Sequence, residues 1–315
     1  METKNHVWMN GNFVSNEEAK IDFLTTTLHY GFGVFEGIRC YNTIHGPAVF
    51  RLNDHVKRLI QSWHAMGMTL KYSPEEIETG IKELIQKNQM NECYIRPLIF
   101  LTGIAFDQYA CQSNLAISCW VWKNFFGNIQ EDEGIKVTIS SIARPHVNAG
   151  LTKAKVTGNY YISLMARGLA KKQGYHDALM LDTQGLVSEG TGDNVFIVRN
   201  GIIYTPKRNG ILEGITRASV IEIAKDLGYT VNEDDITREE LYIADEVFAT
   251  GTAAEIECIS EIDGRKIGTG KIGPITKIIR TKFKEIVQGK DSKYHKWLAF
   301  VNEKIQTKNI MEVKA

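Results

Sequence analysis

The sequence predicts a mixed α+β protein in two domains, and three observations carry that prediction. The chain has 315 residues, 43% hydrophobic and 23% charged, which is ordinary for a globular protein and ample for two buried cores. Short β-branched and aromatic runs are mixed with helical periodicities in both halves. A polar run from Lys123 to Gly134, with Glu131-Asp132-Glu133 inside it, separates the halves. The expected division is a small domain at 1–122, a linker at 123–134 and a larger domain at 135–315.

In the first domain, residues 6–15 read as a hairpin because Asn10-Gly11 lies between short alternating strands. VFEGIRCYN and PAVFRL have strand composition. Val56, Leu59, Ile60 and Trp63 recur at helical period, with Asn53 or Asp54 as the expected cap. Ser73-Pro74-Glu75-Glu76 opens a second helix that carries Ile77, Ile81, Leu84 and Ile85 on one stripe. YIRPLIFL and LAISCWVW read as strands. In the second domain IKVTISSIA, ALMLD, NVFIVRN, IIYT and EVFAT are the expected strands, and Asn200-Gly201 is a hairpin turn. Helices are expected at about 159–173 and 215–227, ending at Gly174 and Gly228, and after Pro274.

Charge excludes some partners. Lysine plus arginine (37) equals aspartate plus glutamate (37), so no net field recruits nucleic acid or an anionic membrane. METKNHVWMNGNF has no apolar h-region and does not read as a signal peptide. From Pro97 to Trp122 only Asp107 is charged, but the interspersed polar residues suit two buried strands and a turn rather than a membrane span. The five cysteines, Cys40, Cys93, Cys111, Cys119 and Cys258, show no ligand spacing and read as reduced thiols of a cytoplasmic protein.

Common motifs fail in instructive ways. GTGKIG (268–273) has the glycines of a dinucleotide fingerprint but no acid about 20 residues on, and Pro274 follows it directly, so a glycine-rich turn is expected. It is not a Walker loop, since Gly264 stands one place too far from Lys271 and Ile272 replaces the serine or threonine. No HExxH or other histidine ligand spacing supports a metal site. Ser188 is not in a GxSxG elbow.

Four other stretches carry chemistry. TKAKVTGNYY (152–161) places Lys153 and Lys155 at the mouth of a helix on which Tyr161, Leu164, Met165 and Gly168 recur at helical spacing. SEGTGDNVF (188–196) holds Glu189 between small residues at a strand end, either facing inward on a tight turn or solvated. GITR (214–217) opens a helix whose N–H groups and Thr216 hydroxyl suit a phosphate, or in which Thr216 is a plain cap. TGTAAEI (250–256) has small residues that permit close ligand approach or tight packing.

Lys155-VTGNY, Ser188-EGTGDN, Gly214-ITR and Gly251-TAAE together resemble the fold-type IV pyridoxal-phosphate enzymes. VFEGIR (34–39), HVKRL (55–59) and YIRP (94–97) are similar to the branched-chain amino-acid aminotransferases in particular. The likeness runs from about residue 6 to about residue 300. It implies pyridoxal 5'-phosphate as cofactor, with Lys155 as the Schiff-base lysine and proton carrier rather than Lys153. Glu189 would pair with the pyridine nitrogen and Tyr160 would donate to the ring oxygen. Arg58, Leu212, Ile215, Thr216 and Thr252 complete the implied cofactor set, although periodicity alone places Arg58 on the solvent side of its helix.

For substrate, the resemblance implies Tyr94 and the backbone at Gly251, Thr252 and Ala253 for the α-carboxylate. Phe35, Trp122 and Ala253 would line an apolar pocket, and Arg96 with Tyr30 of a neighbouring subunit would take a distal carboxylate. The implied reaction moves an amino group between L-leucine, L-isoleucine or L-valine and 2-oxoglutarate, through glutamate, in a ping-pong cycle. The implied assembly is at least a homodimer, with a hexamer left open. Alternatives are a D-amino-acid aminotransferase, an aminodeoxychorismate lyase, or a non-catalytic binder on the same scaffold. Three departures bear on side-chain preference or on the lysine approach. Phe125 stands where relatives often have tyrosine, the segment 101–114 lacks the usual glycine-containing loop, and VNAGLTKAK replaces a commoner proline-bearing approach.

Overall fold

The structure, a computed structural model, describes residues 6–122, 125–127, 129–130 and 132–302. Lys123, Asn124, Asn128 and Glu131 of the expected linker, and the first five residues considered for a signal peptide, lie outside the described residues. The chain divides into two compact units, one of Met1–Trp122, Val156–Gly158 and Glu285–Ala315, the other of Lys123–Lys155 and Asn159–Lys284.

The first unit opens with β1 (His6–Met9) and β2 (Asn12–Ser15). Asn10 and Gly11 both take positive φ, 54° and 91°, as a two-residue hairpin turn demands. A short helix, α1 (Thr26–Tyr30), precedes β3 (Gly33–Phe35), β4 (Ile38–Thr43) and β5 (Gly46–Phe50). The run VFEGIRCYN is therefore two strands, broken at Glu36-Gly37. Helix α2 (Leu52–Ala65) is capped by Arg51 in the left-handed region, not by Asn53 or Asp54. The chain passes straight from β5 into the helix, and Asp54, inside the first turn, pairs with Arg51 instead. Helix α3 (Pro74–Lys87) has the Ser73–Glu76 capping box, with Ile77, Ile81, Leu84 and Ile85 fully buried.

Strands β6 (Cys93–Thr102) and β7 (Gln112–Trp120) account for the nearly uncharged run from Pro97. The sheet is antiparallel, in the order Leu298–Phe300, β5, β4, β6, β7, β1, β2, with β3 also on β6. The stretch Val156–Gly158 is pinned to this unit at Gly31. Gly158 N and Thr157 Oγ1 donate to Gly31 O at 3.0 and 2.7 Å. A Cβ on Gly31 would sit 2.8 Å from Gly158 Cα, so glycine is required at that crossing.

In the second unit β8 (Ile135–Ile139) is followed by α4 (Tyr160–Lys172), β9 (Asp177–Leu181), β10 (Val187–Gly190), β11 (Asn194–Arg199) and β12 (Ile202–Pro206). Then come α5 (Ile215–Asp226), β13 (Val231–Asp234), α6 (Arg238–Tyr242), β14 (Glu246–Gly251), β15 (Glu255–Ile262) and α7 (Pro274–Val287). The sheet order is β10-β9-β8-β15-β14-β11-β12-β13. β8 runs parallel to β9 and β15, and β13 parallel to β12. Its core gathers Val187, Val195, Ile197, Val247, Ala249 and Ile259.

Helix α4 turns Ser163, Ala166 and Ala170 inward, while Tyr161, Leu164 and Met165 are exposed. Small side chains let the helix lie close on β9, so its large apolar residues form the outer face. The GTGKIG segment is a turn, with Gly268 and Gly270 at positive φ. It leads into α7, whose first-turn N–H groups at Ile275 and Thr276 donate to Glu246 at 2.9 and 2.7 Å. Among the described residues no helix is long and apolar enough to cross a membrane.

Candidate active site

In the second unit four of the predicted residues come together in two pairs. Lys155 is half-buried, and its Nζ donates to Tyr160 Oη at 2.6 Å, the tyrosine standing on the first turn of α4. Lys153, two residues earlier, is exposed and pairs with Glu213 at 3.1 Å. The two lysines therefore differ in kind: one is a surface ion pair, the other a partly desolvated amine held beside a phenol.

Glu189 lies within β10 and is buried. Its Oε1 meets Arg144 Nη2 at 2.5 Å. Its Oε2 accepts from Asn194 Nδ2 at 3.1 Å and from Leu212 N at 3.2 Å. Burial pushes the Glu189 carboxyl above the ordinary range, against the pull of Arg144, the Leu212 N–H and Lys155. The solvated alternative for this acid does not hold. Burial and the neighbouring Asp177 charge push Asp193, on the same turn, well above its ordinary range. The acid of this turn that faces a guanidinium directly is Glu189. Arg144 carries no periodic signal in sequence and was missed there. Its own Nε is buried and finds no hydrogen-bond partner among the described residues.

Helix α5 starts in the interior, with Ile215, Thr216 and Arg217 all buried. Its N-cap is Gly214, which has no side chain to accept from the first-turn N–H groups. Thr216 is the second helical residue and not the cap. A buried helix start without a side-chain acceptor calls for an external one, and an anion suits it. Glycine at 214 has a steric cause, since a Cβ there would lie 2.0 Å from Asn194 Oδ1. Asn194 in turn bridges Glu189 and the Leu212 carbonyl. Gly251 ends β14 and Thr252 and Ala253 turn after it, all three half-buried, and a Cβ on Gly251 would be 3.3 Å from Asp193 Cβ.

In the first unit a second group forms on β3, β6 and β7. Tyr94 stacks on Trp122 at 4.5 Å between ring centres and tilts against Trp120 at 5.2 Å. The Arg96 guanidinium lies 4.6 Å from the Phe35 ring centre, 5.5 Å from Tyr94 and 5.9 Å from Trp120. Its Nη2 donates to Tyr94 Oη at 3.4 Å, and its buried Nε has no hydrogen-bond partner among the described residues. Gly37 is dictated by this group, because a Cβ there would meet Tyr94 Oη at 1.9 Å. Trp120 was missed in sequence, where it reads as an ordinary strand aromatic.

Arg58 is not solvent-facing as its helical position suggests; its side chain is only 12% exposed. It pairs with Glu36, Nε to Oε1 at 2.6 Å and Nη2 to Oε2 at 2.8 Å. His55 Nδ1 meets the same carboxylate at 2.8 Å. Burial alone would raise Glu36, but Arg58 and His55 outweigh it and hold the carboxyl well below the usual range. Tyr30 stands apart from these groups, exposed and edge-on to Phe106 at 5.6 Å.

Comparison with known proteins accords with this chemistry. The Amino-transferase class IV family model matches residues 33–262. The branched-chain-amino-acid aminotransferase of Pseudomonas aeruginosa is 41% identical over 297 residues, covering 94% of this chain and 97% of the relative. That of Escherichia coli K12 is 39% identical over 302 residues, covering 95% and 98%. Among solved structures, the branched-chain aminotransferase from the archaeon Thermoproteus uzoniensis with norvaline is 43% identical at a TM-score of 0.90, covering 95% of this chain and 99% of that one. The branched-chain amino acid aminotransferase from Thermobaculum terrenum, in its PLP-form, is 35% identical at a TM-score of 0.90, over 96% of this chain and all of that one. With a family model spanning most of its length and relatives aligned nearly end to end, this chain belongs to the class IV aminotransferases.

Proposed function

We propose that this chain is a branched-chain-amino-acid aminotransferase that uses pyridoxal 5'-phosphate to move an amino group between L-leucine, L-isoleucine or L-valine and 2-oxoglutarate. The observation that carries the reading is the second-unit donor set: an amine on a phenol, a buried acid backed by arginine, and a buried helix start with no capping side chain. These residues fit the cofactor's three functional groups, an aldehyde, a pyridine nitrogen and a phosphate. The relatives' names supply the substrate class.

When bound, the cofactor supplies an electron-accepting ring that lowers the barrier to proton loss at the substrate's α-carbon. Lys155 would anchor it and, once released, its Nζ would carry the proton between the substrate's Cα and the cofactor's C4′. Tyr160 Oη holds that amine in place through their 2.6 Å contact. Glu189, oriented from three sides by Arg144, Asn194 and the Leu212 N–H, would hold the ring nitrogen in its protonated form. Ile215, Thr216, Thr252 and Arg58 are proposed for the phosphate, by N–H groups, hydroxyls and charge.

For the substrate, Tyr94 with the backbone at Gly251, Thr252 and Ala253 is proposed for the α-carboxylate. Phe35 and Trp122 give apolar surface for an aliphatic side chain, and Arg96 gives a cation for the distal carboxylate of glutamate. Seating the guanidinium on Phe35 and Trp120 reconciles these demands: its charge is stabilised by ring faces when no carboxylate is present. Exposed Tyr30 and Phe106, in ring contact, with Phe23 beside them through His29, support a homodimer in which a second copy covers this apolar group. A hexamer would be built from such dimers. A cytoplasmic location is proposed on the five free cysteines.

The test is a transamination assay on the purified holoenzyme with L- and D-leucine, L-valine and 2-oxoglutarate, with borohydride reduction and peptide mapping. Turnover of L-leucine and label on Lys155 are expected. Turnover of D-substrates alone would assign the D-amino-acid alternative, and a labelled but inactive protein would leave only a binder.

A further inference from the structure

In the first unit the proposed reaction gives no part to Glu36 and His55, which lie against Arg58, or to the buried thiols Cys40, Cys93 and Cys119. Glu36 carries furthest, because both of its carboxylate oxygens are engaged and the side chain has no exposed surface.

Glu36 has no exposed surface, although a carboxylate is among the side chains least often buried. The break between β3 and β4 puts it there. Its own N–H donates to Pro97 O at 2.9 Å, and its side chain projects to α2. Both carboxylate oxygens are used. Oε1 takes Arg58 Nε, while Oε2 takes Arg58 Nη2 and His55 Nδ1. His55 and Arg58 lie three residues apart on α2, so they reach one acceptor from the same helix face.

From this geometry we propose that Glu36 is a positioning residue for the cofactor phosphate: it fixes the plane of the Arg58 guanidinium and so sets the direction in which that group can meet an anion. The inference rests on the reading that Arg58 is a phosphate ligand. Guanidinium is a rigid planar fork, and clamping one edge orients the whole group. Two effects of removing the Glu36 charge oppose each other. A bare Arg58 would exert a stronger field on a phosphate. However, a mostly buried guanidinium that loses its counter-charge relaxes toward water, and its long side chain regains rotamers. With Arg58 only 12% exposed, relaxation wins, and phosphate affinity falls.

The test compares pyridoxal 5'-phosphate with unphosphorylated pyridoxal, each titrated into apoenzyme and read by absorbance, in wild type, Glu36→Gln, Arg58→Ala and Glu36→Asp. The affinity ratio of the two ligands isolates the phosphate contribution. A merely structural role would weaken both ligands alike and leave the ratio intact. Glu36→Gln is expected to lower the ratio roughly tenfold, about the worth of one charge-assisted hydrogen bond. An unchanged or raised ratio in Glu36→Gln, with a lowered one in Arg58→Ala, overturns the positioning role while leaving Arg58 as ligand. An unchanged ratio in Arg58→Ala overturns the ligand reading itself. If Glu36→Gln fails to fold, Glu36→Asp keeps the charge but draws it back by one methylene, and it is held to the same ratio.

Discussion

Arg144 and Glu189 meet at 2.5 Å in the interior of the second unit, with side chains only 12% and 6% exposed. Neither charge is tolerable there alone. Arg144→Met would leave the Glu189 carboxyl to burial and to two weaker donors, driving it further toward the neutral form. Breaking a buried pair on one side costs about 3–5 kcal/mol. The expected outcome is a lower thermal midpoint together with activity that declines toward acid pH at a higher value than in wild type. Unchanged pH dependence of kcat/KM would show that Arg144 does not set the charge of Glu189.

Lys155→Ala is expected to lower turnover at least 10²–10⁴-fold, roughly what a positioned general base contributes. Lys153→Ala, which removes the exposed pair with Glu213, should change turnover little. Steady-state kinetics of the two variants checks both, and near-normal activity in the first would remove the lysine assignment.

Arg96→Ala should divide the two half-reactions. The glutamate half-reaction loses the cation that would meet a distal carboxylate, whereas the leucine half-reaction loses only a group seated on Phe35 and Trp120. Single-turnover rates with each amino acid are the measurement. Equal losses in the two would place the carboxylate specificity elsewhere.

The Glu36 cluster predicts the acid limb of stability. Its folded carboxyl is held below the unfolded value of about 4.3. The stabilisation is therefore complete above that pH and lost as pH falls below it toward the folded value. Urea midpoints should fall more gently in Glu36→Gln than in wild type between about pH 5 and pH 3. Parallel curves would assign the acid sensitivity to other groups.

The sequence was most legible where local physics acts alone. The Asn10-Gly11 and Asn200-Gly201 turns, the Ser73–Glu76 capping box and the buried stripe of α3 all follow from neighbours a few residues apart. It misled where one helix face had to serve two demands. Tyr161, Leu164 and Met165 of α4 are outside because Ser163, Ala166 and Ala170 face inward, and Arg58 is inside because Glu36 waits beneath it. Of strand β10 only the end was legible, at Glu189, since VSEG has no apolar alternation to mark the strand itself.

The sequence by itself determined the family and singled out the proposed lysine, acid and helix start, because each lies in a short motif whose spacing reflects a backbone turn. Only the tertiary structure decided who holds these groups in place. Arg144 reaches Glu189 across 45 positions, Asn194 sits against Gly214 across 20, and Glu36 clamps Arg58 across 22. Such pairs leave no local pattern, because burying one charge requires its partner only in space.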